Sequence, residues 1–253
     1  MDWLEDLRNI VSAAQAREPK SVIDDIVGLS ASIADDELAT SFRNGHPPGS
    51  QAATAKEIYH KYILNMENTA LTSIFRAAVG PGTRFCDVAD PEARTAFDRV
   101  ADIFDRLSLH PGVRFVMVGC GQLPVTAIHV MERAGCEHIV CMDVVEGAIA
   151  SVERLKRAFG WNALHPIVCD GAAYDFAKAD AVYIANMVSP KAAVVEQVAR
   201  TAPPGCQIVI REPYGLGRLW AEQAEANLPD CFAVSGYGPG SRYLSRDMFV
   251  SWR

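Results

Sequence analysis

The sequence predicts an α/β protein, with a mostly parallel sheet carrying helices on both faces and a helical segment ahead of it. Three observations carry that expectation. From Val113 onward short apolar runs alternate with amphipathic segments. The runs are apolar at nearly every position rather than every second one, as strands buried on both faces require. Residues 1–110, by contrast, hold several helical patterns and few strand-like runs. The expected division is a helical segment or lid over 1–110 and a Rossmann-like, ligand-binding domain over 111–253.

The helical part follows from apolar spacing and breakers. WLEDLRNIVSAAQ and SVIDDIVGLSASI carry apolar residues three and four apart, the mark of an amphipathic helix. RNGHPPGS, residues 43–50, reads as a loop from its glycine and prolines. A helix is expected from about Thr54 to Val79, stopped by Gly80-Pro81-Gly82. DPEARTAFDRVADIFDRL predicts another, with Asp90 as its N-cap and Pro91 in its first turn.

The sheet part reads as RFVMVG then PVTAIHVMERAG, HIVCMDV then EGAIASVERLKRAFG, HPIVCDG, DAVYIANMV then PKAAVVEQVARTA, and QIVIREP. CFAVSGYG to DMFVSWR predicts a terminal hairpin.

Composition sets the class of partner. The chain has 253 residues, 49% hydrophobic and 22% charged, which suits a globular protein with an ample core. A net charge of −7 without any basic block argues against a nucleic-acid surface and for small-molecule substrates. The acidic, amphipathic N-terminus is neither a signal peptide nor a membrane span, so no membrane partner is expected. Seven cysteines form no CxxC pair and mostly sit in apolar runs, pointing to reduced thiols in a cytoplasm. The histidines are scattered rather than spaced as ligands, so no metal is expected. Apolar positions on the N-terminal helices are compatible with a homodimer or with packing on the sheet.

Three strand ends carry ligand chemistry. Gly119 and Gly121 permit a tight turn and close approach of backbone to ligand, and Pro124 suits the first turn of the next helix. Asp143 ends the next strand, 22 residues after Gly121, where an acid accepts from ribose hydroxyls. Asp170 ends the third strand, near where an adenine edge would lie. The third glycine of the dinucleotide pattern is missing, so a pyrophosphate ligand is disfavoured. Taken singly, Asp143 and Asp170 are equally well read as caps of helices or turns.

The pattern resembles class I S-adenosylmethionine-dependent enzymes. VGCGQLPVTAIHV is similar to the GxGPLPLT signature of nicotianamine synthases and related bacterial enzymes, and MDVVEGAIASVERL to their DxDxxAxxxA segment. AVYIANMVSPKAAVVEQVA, PPGCQIVIREPYGLGRLW and the upstream YHKYILNMENTAL also look like segments of that family. The likeness spans roughly residues 37–253. It implies a class I methyltransferase fold and S-adenosylmethionine as substrate. The expected ligand contacts are Gly119, Cys120, Gly121, Gln122, Pro124, Asp143, Val144, Asp170, Gly171, Asn186, Met187 and Arg211.

The resemblance also implies that the 3-amino-3-carboxypropyl arm, rather than the methyl, is the reacting group. A lid that holds this arm bent and excludes water would direct an amine to its γ-carbon. The stretch with Tyr59, His60, Tyr62 and Glu67 is the candidate lid; Tyr59, Tyr62 and Met66 share a helix face there. Core packing explains the same tyrosines equally well.

Asn186 is placed to accept from the methionyl amine, or else caps a helix. Tyr214 and Arg211 are placed for the methionyl carboxylate, although Arg211 reads equally as a surface charge; Glu212 and Ser241 are weaker candidates. Tyr59, Tyr62, Asn186 and Tyr214 form the candidate catalytic set. In the family a glutamate upstream of the tyrosine-rich helix holds the acceptor amine. Here Ser32 stands near that place, followed by Asp35, Asp36 and Glu37. That departure tilts the expectation towards intramolecular cyclisation to azetidine-2-carboxylate over transfer to an amino acid. Small-molecule methyl transfer is the alternative activity, and a non-catalytic binding protein the third reading.

Overall fold

The structure, a computed structural model, describes residues 3–47, 49–101, 106–241 and 243–253. Helices α1 (Trp3–Ser12), α2 (Pro19–Ala31), α3 (Asp35–Arg43) and α4 (Gly49–Arg76) come first, then α5 (Phe85–Val88) and α6 (Pro91–Asp98). The alternating part is β1 (Arg114–Val118), α7 (Val125–Ala134), β2 (His138–Asp143), α8 (Glu146–Phe159), β3 (Leu164–Val168), β4 (Ala181–Ile184), α9 (Lys191–Thr201) and β5 (Gln207–Pro213). A 3₁₀ turn (Gly215–Leu219) leads to the hairpin β6 (Phe232–Tyr237) and β7 (Ser245–Trp252).

The sheet has seven strands in the order β3-β2-β1-β4-β5-β7-β6. The first five are parallel, and β7 runs antiparallel between β5 and β6. This is the α/β, Rossmann-like class I methyltransferase fold with helices added at the N-terminus. The chain direction reverses laterally beside β1, with β2 on one flank and β4 on the other. Open α/β sheets bind ligands at the carboxyl ends of the strands at such a point.

Most expected elements form. Trp3, Leu7 and Val11, four residues apart, are the buried stripe of α1. Asp90 caps α6, its carboxylate accepting from the N–H groups of Glu92 and Ala93 at 2.9 Å, with Pro91 in the first turn. Two boundaries differ. The long helix begins at Gly49 rather than near Thr54 and ends at Arg76, so the loop over 43–50 is shorter than its glycine and prolines suggest; Pro48 lies outside the described residues. α6 stops at Asp98, and residues 102–105 of the longer expected helix also lie outside them.

Two hydrophobic clusters line the faces of the sheet, and a third joins α1–α4 to Leu216, Leu219, Trp220 and Leu244. α4 crosses from one to another. Ala55, Ile58, Tyr59 and Tyr62 belong to the N-terminal cluster, whereas Ala70, Leu71 and Ile74 pack with the sheet. The middle of α4 therefore passes over the carboxyl ends of the strands. Ion pairing and capping hold the N-terminal helices there: Arg218 bonds Asp35 at 2.6 Å, and the N–H of Leu216 donates to Ser30 Oγ at 3.0 Å.

Candidate active site

The turn after β1 is built around two glycines with φ of +75° (Gly119) and +63° (Gly121), a region L side chains rarely enter. A Cβ on Gly119 would stand 2.5 Å from Val188 Cγ2; one on Gly121 would stand 2.8 Å from Glu67 Oε1. The N–H groups of Gly119 and Cys120 donate to the Met142 carbonyl at 2.9 and 3.0 Å, tying the turn to β2. Pro124 occupies the cap of α7 rather than its first turn, with φ −79° and ψ 62°. Burial holds the Cys120 thiol protonated.

Asp143 accepts from the N–H of Gly121 at 2.9 Å and from that of Val145 at 3.0 Å, so it orders the glycine turn as well as the end of β2. Asp170 is exposed and accepts from the N–H of Ala172 at 2.9 Å. Gly171 is buried against Val118, whose Cγ1 would lie 2.6 Å from a Cβ there. Val144, Val145 and Val168 are 65%, 57% and 52% exposed. They form an apolar ledge at the ends of β2 and β3, suited to the face of a flat ring.

One strand to the other side, Asn186 follows β4. Both Oδ1 and Nδ2 are buried without a hydrogen-bond partner, which is costly for an amide unless a ligand completes it. The Tyr59 hydroxyl lies close to this amide, though short of hydrogen-bond geometry. Tyr59 is 4% exposed and stacks on Trp220, ring centroids 4.5 Å apart and planes 6° apart. Burial raises its pKa and keeps the hydroxyl neutral. Met187 packs against the N-terminal cluster beside it.

Tyr62 sits next to Tyr59, with centroids 6.3 Å apart, but its hydroxyl faces a different group. The hydroxyls of Tyr62 and Tyr243 converge on Glu92 Oε1 at 2.5 and 2.6 Å and lie 2.6 Å from one another. Tyr62 and Glu92 border an open pocket of about 190 Å³, also lined by Glu18, Lys20, Met66 and Asp90. His60, in the same candidate lid stretch, is exposed.

Arg211 does not present a free guanidinium. It is 4% exposed, donates from Nε to Ser245 Oγ at 3.1 Å and from Nη2 to the Ser245 carbonyl at 3.2 Å, and pairs through Nη1 with Asp247 at 2.9 Å. The expected contact with a ligand carboxylate is thus replaced by an internal one, and Arg211 is not a surface charge either. The Tyr214 hydroxyl donates to the Ser241 carbonyl at 2.8 Å. Glu212 accepts from the N–H groups of Ala224 and Glu225, and Ser241 Oγ faces Ser245 Oγ at 3.1 Å; both are internal ties. Upstream, Ser32 is exposed and donates to the Leu29 carbonyl, Asp35 pairs with Arg218, and Asp36 and Glu37 are exposed.

Two charged residues near the site were not in the expected set. Arg99 follows α6; burial, then repulsion from Arg211, lowers its pKa, and its side chain has no ion pair or hydrogen bond among the described residues. Glu67, anticipated only as part of the lid, lies on Gly121, and burial, reinforced by Asp143, pushes its pKa up to about 7. No local motif marks either one, because each reaches the site through tertiary packing. Among the described residues no group of three or more His, Cys, Asp or Glu side chains is arranged to hold a metal, and no helix is long and apolar enough to cross a membrane.

No family model and no curated protein matches the sequence. Solved structures do match the fold. MtNAS, a nicotianamine synthase, in complex with MTA and tNA superposes with a TM-score of 0.79 at 13% identity, covering 100% of this chain and 99% of that one. A point mutant of MtNAS in complex with S-adenosylmethionine gives 0.78 at 13%, covering 100% and 98%. The mitomycin 7-O-methyltransferase MmcR gives 0.52 at 12%, covering 81% and 72%. At these identities the likeness is one of fold, and with MtNAS it runs the whole length of the chain, N-terminal helices included.

Proposed function

We propose that the protein binds S-adenosylmethionine and directs an amine to the γ-carbon of its methionyl arm, releasing methylthioadenosine. The observation that carries this reading is the buried, unpartnered amide of Asn186 beneath Tyr59, enclosed by helices that cross the carboxyl edge of the sheet. A methyl donor site must leave the sulfonium methyl open to an acceptor. Here the enclosed end is the one suited to the amino-acid arm. The full-length likeness to MtNAS supports the same reading.

In the cyclisation form, which we favour, the methionyl α-amine attacks its own γ-carbon. The C–N bond forms as the C–S bond breaks, and the bond pair leaves on sulfur as the neutral thioether. The α-ammonium first releases a proton to solvent to free its lone pair, and the products are azetidine-2-carboxylate, as its secondary ammonium, and methylthioadenosine. Asn186 Oδ1 orients the amine, Tyr59 and Trp220 cover it, and Arg99 is the cation available to the carboxylate. Orientation of this kind removes several kcal/mol from such a barrier. That no carboxylate of the 32–37 stretch points into the site supports a reaction without an external acceptor.

Transfer to an amine acceptor is the second reading. It is favoured by the pocket beside Tyr62, where Glu18, Asp90 and Glu92 outnumber Lys20, itself paired with Asp24 at 2.6 Å. Such a lining suits a cationic amine.

The test is incubation with S-adenosylmethionine alone and identification of products by mass spectrometry. Methylthioadenosine with azetidine-2-carboxylate, above the spontaneous rate, supports cyclisation. Methylthioadenosine formed only when an amino acid or diamine is added supports transfer. S-adenosylhomocysteine as the sole nucleoside product would overturn both in favour of a methyltransferase.

A further inference from the structure

Strand order orients the ligand on the sheet. Asp143 closes β2 and Asn186 follows β4, with β1 between them. A ribose on Asp143 and an aminoacyl end on Asn186 leave the sulfur between, above the Gly119–Gly121 turn. The side chain that lies there is Glu67, from the middle of α4, with Oε1 2.8 Å from the place of a Gly121 Cβ. It has no ion pair among the described residues; Gln122 hydrogen-bonds its carboxylate and, through Nε2 at 3.0 Å, its neighbour Asn68.

We infer that Glu67 is the anionic contact for the sulfonium, and that it lets the site distinguish the cationic substrate from neutral thioethers. The inference rests on S-adenosylmethionine being the ligand and holds for cyclisation and transfer alike. A half-buried carboxylate without a cation is an unfavourable arrangement that a cationic ligand relieves. The unpaired amide of Asn186 on the adjoining strand end marks the other end of the same cleft. When the C–S bond breaks the sulfur loses its charge, and with it the attraction to Glu67, so the contact favours substrate over product.

The titratable groups facing Glu67 are Asp143 from the end of β2 and the Cys120 thiol from the turn after β1. Asp143 opposes ionisation of Glu67, and the thiol stays neutral. With the Glu67 pKa near 7 in the free protein, its charge at neutral pH depends on the ligand.

Calorimetric titration with S-adenosylmethionine and with S-adenosylhomocysteine, which has the same arm on a neutral sulfur, tests the inference at pH 5.5 and 7.0. The native protein is expected to bind S-adenosylmethionine roughly tenfold more tightly at pH 7.0, as the population of the ionised carboxylate rises. Its affinity for S-adenosylhomocysteine should change less than about twofold. Glu67→Gln should weaken S-adenosylmethionine about tenfold at pH 7.0, spare S-adenosylhomocysteine and abolish the pH difference. Glu67→Asp should recover part of the discrimination. Equal weakening of both ligands, or a pH difference that survives in Glu67→Gln, overturns the inference. Failure of the native protein to bind either ligand at both pH values overturns the S-adenosylmethionine reading itself, and this inference with it.

Discussion

Tyr59 lies flat on Trp220, with ring centroids 4.5 Å apart and planes 6° apart, and its hydroxyl lies beside the unpartnered amide of Asn186. Tyr59 belongs to α4 and Trp220 follows β5, so the contact joins the N-terminal helices to the sheet. Tyr59→Phe should keep the stack and the melting temperature while lowering turnover. Tyr59→Ala should cost about 3–5 kcal/mol in urea unfolding, the range for emptying a large aromatic site. Equal loss of stability in both variants would remove the hydroxyl from the account.

Asn186→Leu tests the cost of leaving an amide unpaired. The substitution retains the approximate shape and removes two polar atoms that lack partners in the free protein. Relief of their desolvation is worth about 1–3 kcal/mol, so the variant should melt higher than the native protein yet lose S-adenosylmethionine binding. A lower melting temperature would mean that the amide is satisfied in the free protein after all.

The Arg211–Asp247 pair is buried, each side chain 5% exposed, and the Tyr183 hydroxyl donates to Asp247 at 3.1 Å. Removing one partner strands the other charge. Arg211→Met or Asp247→Leu alone should therefore cost about 3–5 kcal/mol. The double variant should recover most of that loss, as read from a double-mutant cycle of chemical unfolding. Additive losses would show that the two charges are not each other's compensation.

Glu67 also predicts a pH dependence of stability. Its pKa in the folded protein is about 7, above its ordinary value of 4.5, because burial disfavours the charged form. Between those values the folded protein binds more protons than the unfolded chain, so this group's contribution is fully present below about pH 4.5 and is lost as pH rises towards 7. Burial likewise raises Glu132 and Glu212, which act in the same direction and remain in a Glu67 variant. The measurable quantity is thus a difference. Relative to the native protein, Glu67→Gln should gain stability from pH 5 to pH 7 in thermal melts without ligand.

What could be read in the sequence was what is local. Apolar runs such as RFVMV and HIVCMD require burial on both faces, and Gly121 and Asp143 meet across adjacent strands whose pairing that pattern implies. Asp90 and Pro91 announce a helix start because capping involves residues two and three apart. The remaining contacts join distant segments. Glu92 meets Tyr243 across 151 positions, and Asp35 meets Arg218 across 183. Arg211 illustrates the difficulty best. Its place at the end of a strand suggested a ligand contact, but its partner, Asp247, arrives on a strand inserted from the far end of the chain.

That insertion has a consequence for biogenesis. β7 is made after β6, yet it lies inside the sheet, bonded to β5 on one side and β6 on the other. Until it leaves the ribosome, β5 has an open edge and the Arg211 guanidinium lacks its counter-ion. The nascent chain can form its parallel core early, but it closes that core only once β7 has emerged. Removal of β7 should therefore yield a chain that collapses without becoming native and is held by chaperones, rather than a slightly shortened protein.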